Sequence, residues 1–244
     1  MPSRSILPAV WDIPQVFRDR LGARAGRQRA MIHEGHVLLV LHRPPKPDED
    51  EREGRFFWRK PDGSWMSSES GGGLASLGAH LQEFADLIER YDQQEERAST
   101  ADDYFAVIQA VTPLHRAARN LHQVLQDARK AVPEDRDLID FRDRGYDIER
   151  NAEILYSDTQ NGLEYALAKR AEEQAAAAHQ MAVASHRLNV LAAFFFPIAT
   201  LSAVFGVNLQ HGWEQLPGPG PFLGLLAAGL VCGFVLKGYV TRNG

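Results

Sequence analysis

The sequence predicts a mostly helical membrane protein: a small α+β domain, one long helix that runs on into a first membrane span, and a second span. Three observations predict it. Apart from Glu214, Lys237 and Arg242, every charged residue of the 244-residue chain lies before position 188. Leu188–Leu209 contains no Asp, Glu, Lys or Arg and as a helix is long enough to cross a bilayer core, and a second span runs from Pro221 to about Val240, uncharged as far as Leu236 with Lys237 able to snorkel. Between Pro133 and the first span no Gly-Pro break interrupts the chain, whereas short β-forming runs are confined to the first 70 residues.

Composition excludes several functions. The 27 Lys+Arg against 32 Asp+Glu give a net charge of −5, which exerts no general pull toward nucleic acid. The one cysteine, Cys232, allows neither an intrachain disulfide nor a Cys-cluster zinc site. Pro2, Pro8 and Pro14 break up the N-terminus, so no signal peptide is expected and the N-terminal domain is placed in the cytosol. No Ser/His/Asp, metal-ligand or phosphate-loop constellation is legible, so the chain is not expected to be an enzyme.

In chain order, residues 12–29 hold Arg18, Arg20, Arg24, Arg27 and Arg29 around a short helix begun at Pro14, and are assigned to a solvated surface or a subunit contact. His36–His42 is an apolar run suited to a buried strand. Arg55–Arg59 is a second strand, returned toward Trp65 by Pro61-Asp62-Gly63, where proline presets φ and glycine takes a positive φ. Gly71-Gly72-Gly73 precedes no Lys-Ser/Thr and is assigned to a linker rather than a phosphate loop. Leu74, Leu77, Leu81, Phe84, Leu87, Ile88 and Tyr91 recur at three and four, the stripe of an amphipathic helix. Thr100 and Asp103 form a capping-box variant that opens the next helix, and Pro113 is expected to kink or interrupt it. His115 and His122 have no third ligand in view and are assigned to packing or surface.

From Glu134 the long helix is expected, with Phe141, Gly145, Ile148, Ala152, Leu155, Thr159, Gly162 and Ala166 at a spacing near 3.5, a weakly apolar seam expected to meet copies of itself. Arg187 before the first span, Lys237 and Arg242 at the end of the second, and no basic residue in 210–220 place both termini in the cytosol and the connecting loop outside. Gly229 and Gly233 form a GxxxG pair that allows close helix approach. Two spans cannot enclose a polar path, so an ion pathway needs several copies. Neither span carries Asp, Glu, Lys, Arg or His before Lys237, which suits a neutral pore for a hydrated ion better than a proton relay. The domain boundaries are 1–133 for the shortened cytosolic domain, 134–187 for the long helix, 188–209 and 221–240 for the spans, and 210–220 for the external loop.

The run Phe194-Phe195-Phe196-Pro197-Ile198-Ala199-Thr200-Leu201-Ser202-Ala203-Val204-Phe205-Gly206-Val207-Asn208 resembles the end of the first span in the CorA family of divalent-cation transporters. That family closes this span on Gly-Met-Asn, preceded by an aromatic and, farther back, a proline. Phe205 and Pro197 occupy those places, and residues 134–244 as a whole are similar. Val207 stands where the magnesium branch has methionine, and the ZntB-type zinc branch accepts Ile or Val there. The resemblance implies a homopentameric funnel in the cell inner membrane that carries Mg²⁺ or another divalent cation, with no cofactor and with itself, the lipid and the ion as partners. It assigns the pore mouth to Gly206, Val207 and Asn208, whose carboxamide and nearby carbonyls suit a hydrated ion. Counting back from Asn208 in helical steps gives a lining of Ala203, Ala199, Phe196, Ala192 and Leu188, with Thr200 beside it. Glu214 loosely matches the family's acidic loop. Asp147 is the position where the family's regulatory cation site would fall. Zinc transport and a non-transporting membrane-anchored helical scaffold are the alternatives, and nucleic acid is not an expected partner.

Overall fold

The computed structural model describes residues 6–46, 53–69, 72–206 and 219–243. It divides into two compact units, residues 1–168 and 169–244.

The first unit is built on a four-stranded antiparallel sheet, β1 (Arg29–His33), β2 (His36–His42), β3 (Gly54–Arg59) and β4 (Trp65–Ser67), in the order β1-β2-β3-β4. The expected β3–β4 hairpin pairs Arg59 with Trp65 and Phe57 with Ser67, with Gly63 at φ 85°. β1 extends the meander beyond the two strands and the return to Trp65 expected from the sequence. Glu34 and Gly35, at φ 46° and 77°, make the two-residue turn that joins it to β2, and such turns need left-handed residues. All connections are antiparallel, so this is an α+β and not an α/β sheet.

Strand β2 explains why its apolar run is unbroken. Successive side chains point to opposite faces, and both faces are covered: Val37, Leu38, Leu39, Val40 and Leu41 are all fully buried. Val37, Leu39, Leu41 and Phe57 join the core beneath the helices. Leu38, Val40, Phe56 and Trp58 join a second core with Leu7, Trp11, Ile13 and Phe17. The N-terminal arm, with the short helix α1 (Gln15–Asp19), is therefore a packed layer on one face of the sheet. Within the arginine-rich stretch Phe17 is buried, while Arg20, Arg24 and Arg27 are exposed.

On the other face lie α2 (Gly73–Glu95) and α3 (Ala101–Ala131). The α2 stripe buries Leu77, Leu81, Phe84, Ile88 and Tyr91, with Leu74 left exposed. Gly73 is more than linker. It is buried, and a Cβ there would collide with the Trp65 carbonyl group, so the glycine lets α2 start directly against β4. The capping box at α3 is complete: Thr100 Oγ1 accepts from Asp103 N at 3.2 Å and Asp103 Oδ2 from Thr100 N at 2.9 Å. Pro113 does not interrupt α3, which is helical through Ala131. A proline removes one N–H bond, and the buried row Val111, Leu114, Ala117, Ala118, Leu121 and Leu125 supplies packing on either side.

The last long helix, α4 (Arg136–Gly206), is continuous for 71 residues. Its start is held by Asp135, which accepts from Leu138 N at 3.1 Å and pairs with Arg59 of β3 at 2.5 Å. The 3.5-spaced seam corrects the expectation of self-packing. Phe141, Ile148, Ala152, Leu155 and Thr159 are buried inside the first unit, a Cβ on Gly145 would lie 2.8 Å from Leu125 Cδ1, and Gly162 abuts Tyr104. Helix α3 of the same chain covers the seam. His122 pairs with Glu149, and His115 stacks on Tyr156 at 5.4 Å, so both histidines are packing residues of that contact. Residues 167–189 are exposed throughout.

In the second unit α4 pairs with α5 (Gly220–Asn243). Both contain stretches long and apolar enough to cross a membrane. The GxxxG pair sits at their contact: a Cβ on Gly229 would be 3.0 Å from Ile198 Cγ1, and one on Gly233 3.0 Å from the Phe194 carbonyl oxygen. Phe194 and Phe234 meet edge to face at 5.5 Å.

Candidate functional site

The first candidate is the free face of the apolar part of α4, from residue 188 onward. Helix α5 takes the face of α4 that carries Phe194 and Ile198, and Val190, Ala193, Pro197 and Leu201 are half-buried with them. A helix turned by 100° per residue then leaves the opposite face uncovered. Leu188, Ala192, Phe196, Ala199, Thr200 and Ala203 are all exposed, with Phe196 at 73 %. These are the residues reached by counting back from Asn208. Their chemistry is neutral throughout: three alanines, two bulky apolar side chains, and Thr200, whose hydroxyl donates to the Phe196 carbonyl at 2.8 Å. Gly206 is the last residue of α4. Val207, Asn208 and Glu214 lie outside the described residues.

The second candidate surrounds Asp147. This exposed carboxylate lines an open groove of about 500 Å³ between α2 and α4. Glu89 and Asp92 from α2, and Asn151 from α4, line the same groove above a floor that includes Leu81, Ile88 and Ile148. Sequence reasoning singled out Asp147 alone. Its acidic neighbours arise from the α2–α4 pairing, which no local pattern announces. At one end Arg144 donates to the Gly78 carbonyl at 3.2 Å. Just past the groove, burial raises the Glu95 carboxyl above its ordinary range, and the nearby charges of Asp158, Asp92 and Glu96 push it further. Like charges thus crowd this side of the unit. Among the described residues no three His, Cys, Asp or Glu side chains come together to hold a metal ion.

A third feature is polar and buried. Arg55 of β3 donates to Glu83 at 2.8 Å and to His80 Nδ1 at 3.0 Å, and lies 3.8 Å from Glu69. His80 is fully buried, and among the described residues its Nε2 has no hydrogen-bond partner. Burial first, and then the charges of Arg55, Arg43 and His42, hold it neutral, with its pKa lowered to about 3. A neutral, enclosed imidazole with one nitrogen occupied by a guanidinium ties sheet to helix.

No known family's sequence pattern matches the chain, and no curated protein matches it in sequence. Solved structures do match. The full-length CmaX protein superposes at a TM-score of 0.58 with 12% identity, over 95% of this chain and 81% of that one. The chain has the CmaX fold. The complete CorA magnesium transporter from Methanocaldococcus jannaschii aligns at a TM-score of 0.41 and 13% identity, over 91% of this chain and 80% of that one. The cytoplasmic domain of ZntB from Vibrio parahaemolyticus aligns at 0.47 and 13%, over 66% and 80%. Because the CmaX match takes in nearly the whole chain, the sheet domain, the long helix and the paired apolar helices belong to one shared architecture.

Proposed function

We propose that the chain is one subunit of a homo-oligomeric, by resemblance pentameric, channel or transporter that moves divalent metal cations across a membrane, with Mg²⁺ the first candidate. One observation supports the reading above the others. Helix α5 covers the face of the first span opposite to Leu188, Ala192, Phe196, Ala199 and Ala203, which leaves a continuous neutral face free in each chain. Repeated about an axis, such a face lines a pore that a hydrated ion traverses without giving up its waters, which Mg²⁺ releases reluctantly. Phe196 and Leu188, two turns apart, would be constrictions that gate by dewetting. Beyond Gly206 the Asn208 carboxamides would ring the mouth as acceptors. The free carbonyls at a helix C-terminus add negative potential there.

The zinc reading is the second one, and Val207 favours it because the zinc branch accepts a β-branched residue in the middle of the signature. Ion uptake into proteoliposomes, compared for Mg²⁺, Zn²⁺, Co²⁺ and Ni²⁺, decides between them. In the same assay Asn208→Ala should abolish uptake while light scattering shows the assembly unchanged. Undiminished uptake in that variant would remove Asn208 from the pathway.

A further inference from the structure

We propose that the acidic α2–α4 groove of one copy receives the arginine-rich N-terminal arm of the next copy, so that the sheet domains join head to tail. The inference rests on the reading that the chain assembles with itself.

The groove is made for an amphipathic cation. Leu81, Ile88 and Ile148 form its apolar floor, and Ile154 at its edge is 42 % exposed. Glu89, Asp92 and Asp147 stand exposed around it, and among the described residues no ion pair involves any of the three. Arg144, the basic residue lining the groove, is engaged by the Gly78 carbonyl. Arginine suits such a place: its stem lies along apolar surface while its planar fork pairs with carboxylates.

The arm supplies that chemistry. It presents Arg20 and Arg27 to solvent beside Arg24, with Asp19 the acidic residue among them. The arm is also firmly mounted, since Trp11, Ile13 and Phe17 are buried under the sheet and Trp11 packs on Trp58 at 5.8 Å. A mounted arm loses little further freedom on docking.

The occupant must be a second copy, because of the layering. The arm packs on the Leu38–Val40–Trp58 face of the sheet, whereas α2, α3 and the first part of α4 share the core on the Val37–Leu39–Leu41 face. The buried residues of the arm and the floor of the groove thus belong to different cores on opposite faces of the sheet, and among the described residues no ion pair joins Arg20 or Arg27 to Glu89, Asp92 or Asp147. A contact between two different surfaces is heterologous, and repeats of it close into a ring when the rotation allows. Copies that span one bilayer in one orientation are related by an axis along its normal, and an axis of order above two requires heterologous contacts. Single exposed ion pairs are weak, so the charges set register and encounter rate more than affinity.

The test uses the full chain in detergent with Cys232→Ser, carrying Ala23→Cys in the arm and Gln82→Cys in the groove, both at exposed positions. A flexible bis-maleimide should link successive copies into a ladder, which neither single-cysteine protein forms. Adding Arg20→Glu with Arg27→Glu should slow linking about tenfold at low salt, since like charges would then face one another across the contact. Further adding Glu89→Arg with Asp92→Arg should restore it. Near 1 M salt, where screening acts within about 3 Å, the unreversed protein should also slow. No ladder from particles that light scattering shows to be assembled would overturn the contact and leave the assembly standing. Monomeric particles would overturn the assembly reading together with it.

Discussion

His80 gives the fold a sharp acid sensitivity whose size follows from its surroundings. The imidazole is fully buried, with Nδ1 accepting from Arg55 at 3.0 Å, and its pKa is lowered from 6.5 to about 3. In the unfolded chain the same group protonates near its ordinary value. Between about pH 6.5 and pH 3 the unfolded state therefore binds a proton that the folded state refuses, and stability rises with pH across that window. Above pH 6.5 both states are neutral and nothing is lost. At pH 5 the chain lies roughly 1.5 units inside the window, and at about 1.4 kcal/mol per unit the loss is on the order of 2 kcal/mol. Asparagine places an acceptor near the Nδ1 position without a titrating ring, so His80→Asn should keep the Arg55 contact and remove this share of the acid sensitivity. Urea unfolding of the full chain in detergent, followed by tryptophan fluorescence at pH 7 and pH 5, measures it. Trp58 sits in β3 next to Arg59 and makes a good reporter. The parent should lose about 2 kcal/mol more than the variant between the two pH values. Equal losses would mean that His80 is not held neutral, and the account of the Arg55–His80 contact would fail with it.

Three further outcomes follow from contacts already described. If Phe196 is the constriction proposed above, Phe196→Ala should raise ion leak through proteoliposomes by wetting it; because Phe196 is 73 % exposed in the chain, thermal unfolding should move by less than about 0.5 kcal/mol, and a cysteine at this position that reacts as a lipid-facing site would refute the helical phase. Gly233→Leu should lower thermal stability in detergent by roughly 1–3 kcal/mol, since even a Cβ would lie 3.0 Å from the Phe194 carbonyl oxygen and 3.1 Å from its ring; an unchanged melting curve would mean that the two helices do not pack there. Gly73→Ala should lower the urea midpoint by about 3 kcal/mol of stability, because the added methyl strikes strand backbone, whereas Gly72→Ala meets open space and should be neutral.

What could be read ahead of the structure was whatever a local physical rule decides. The Thr100–Asp103 box needs only four residues and a helix to follow. The Pro61–Gly63 turn needs only its own dihedrals, and the α2 stripe its own period. Strand β1 escaped because only Met31 of its five residues is buried and Ile32 is 44 % exposed, so it has no apolar run; the Glu34-Gly35 turn was the available signal. The arm escaped because its arginines drew attention from Trp11, Ile13 and Phe17, which are spaced irregularly and declare no period. Periodicity names the buried face of a helix and not its cover, which is why the Phe141–Thr159 seam was assigned to copies of the chain when α3 takes it. The same limit applies to the site. The phase of the apolar end of α4 could be counted from Asn208, but that α5 would take the Phe194–Ile198 side depends on Gly229 and Gly233 finding it. Glu89 and Asp147 stand 58 positions apart on helices whose pairing no sequence rule specifies.

The segment between the two packed parts of α4 shows how the chain holds a helix without tertiary cover. From residue 167 to residue 189 no side chain is buried, so the usual source of helical stability, an amphipathic face against a core, is absent. The sequence answers with intrinsic propensity: Ala175-Ala176-Ala177-Ala178 at its centre, further alanines at 171, 182 and 184, and Lys, Arg, Glu and Gln among them, all strong helix formers. Alanine gives up no side-chain rotamers when ordered and leaves no bulky group that must find a pocket. Just past this stretch the demand reverses: from Leu188 onward Leu, Phe and Ile replace charge, and Gly229 and Gly233 replace bulk on the partner helix. One continuous helix thus changes what stabilises it along its length, from burial against α3, to propensity, to close packing against α5.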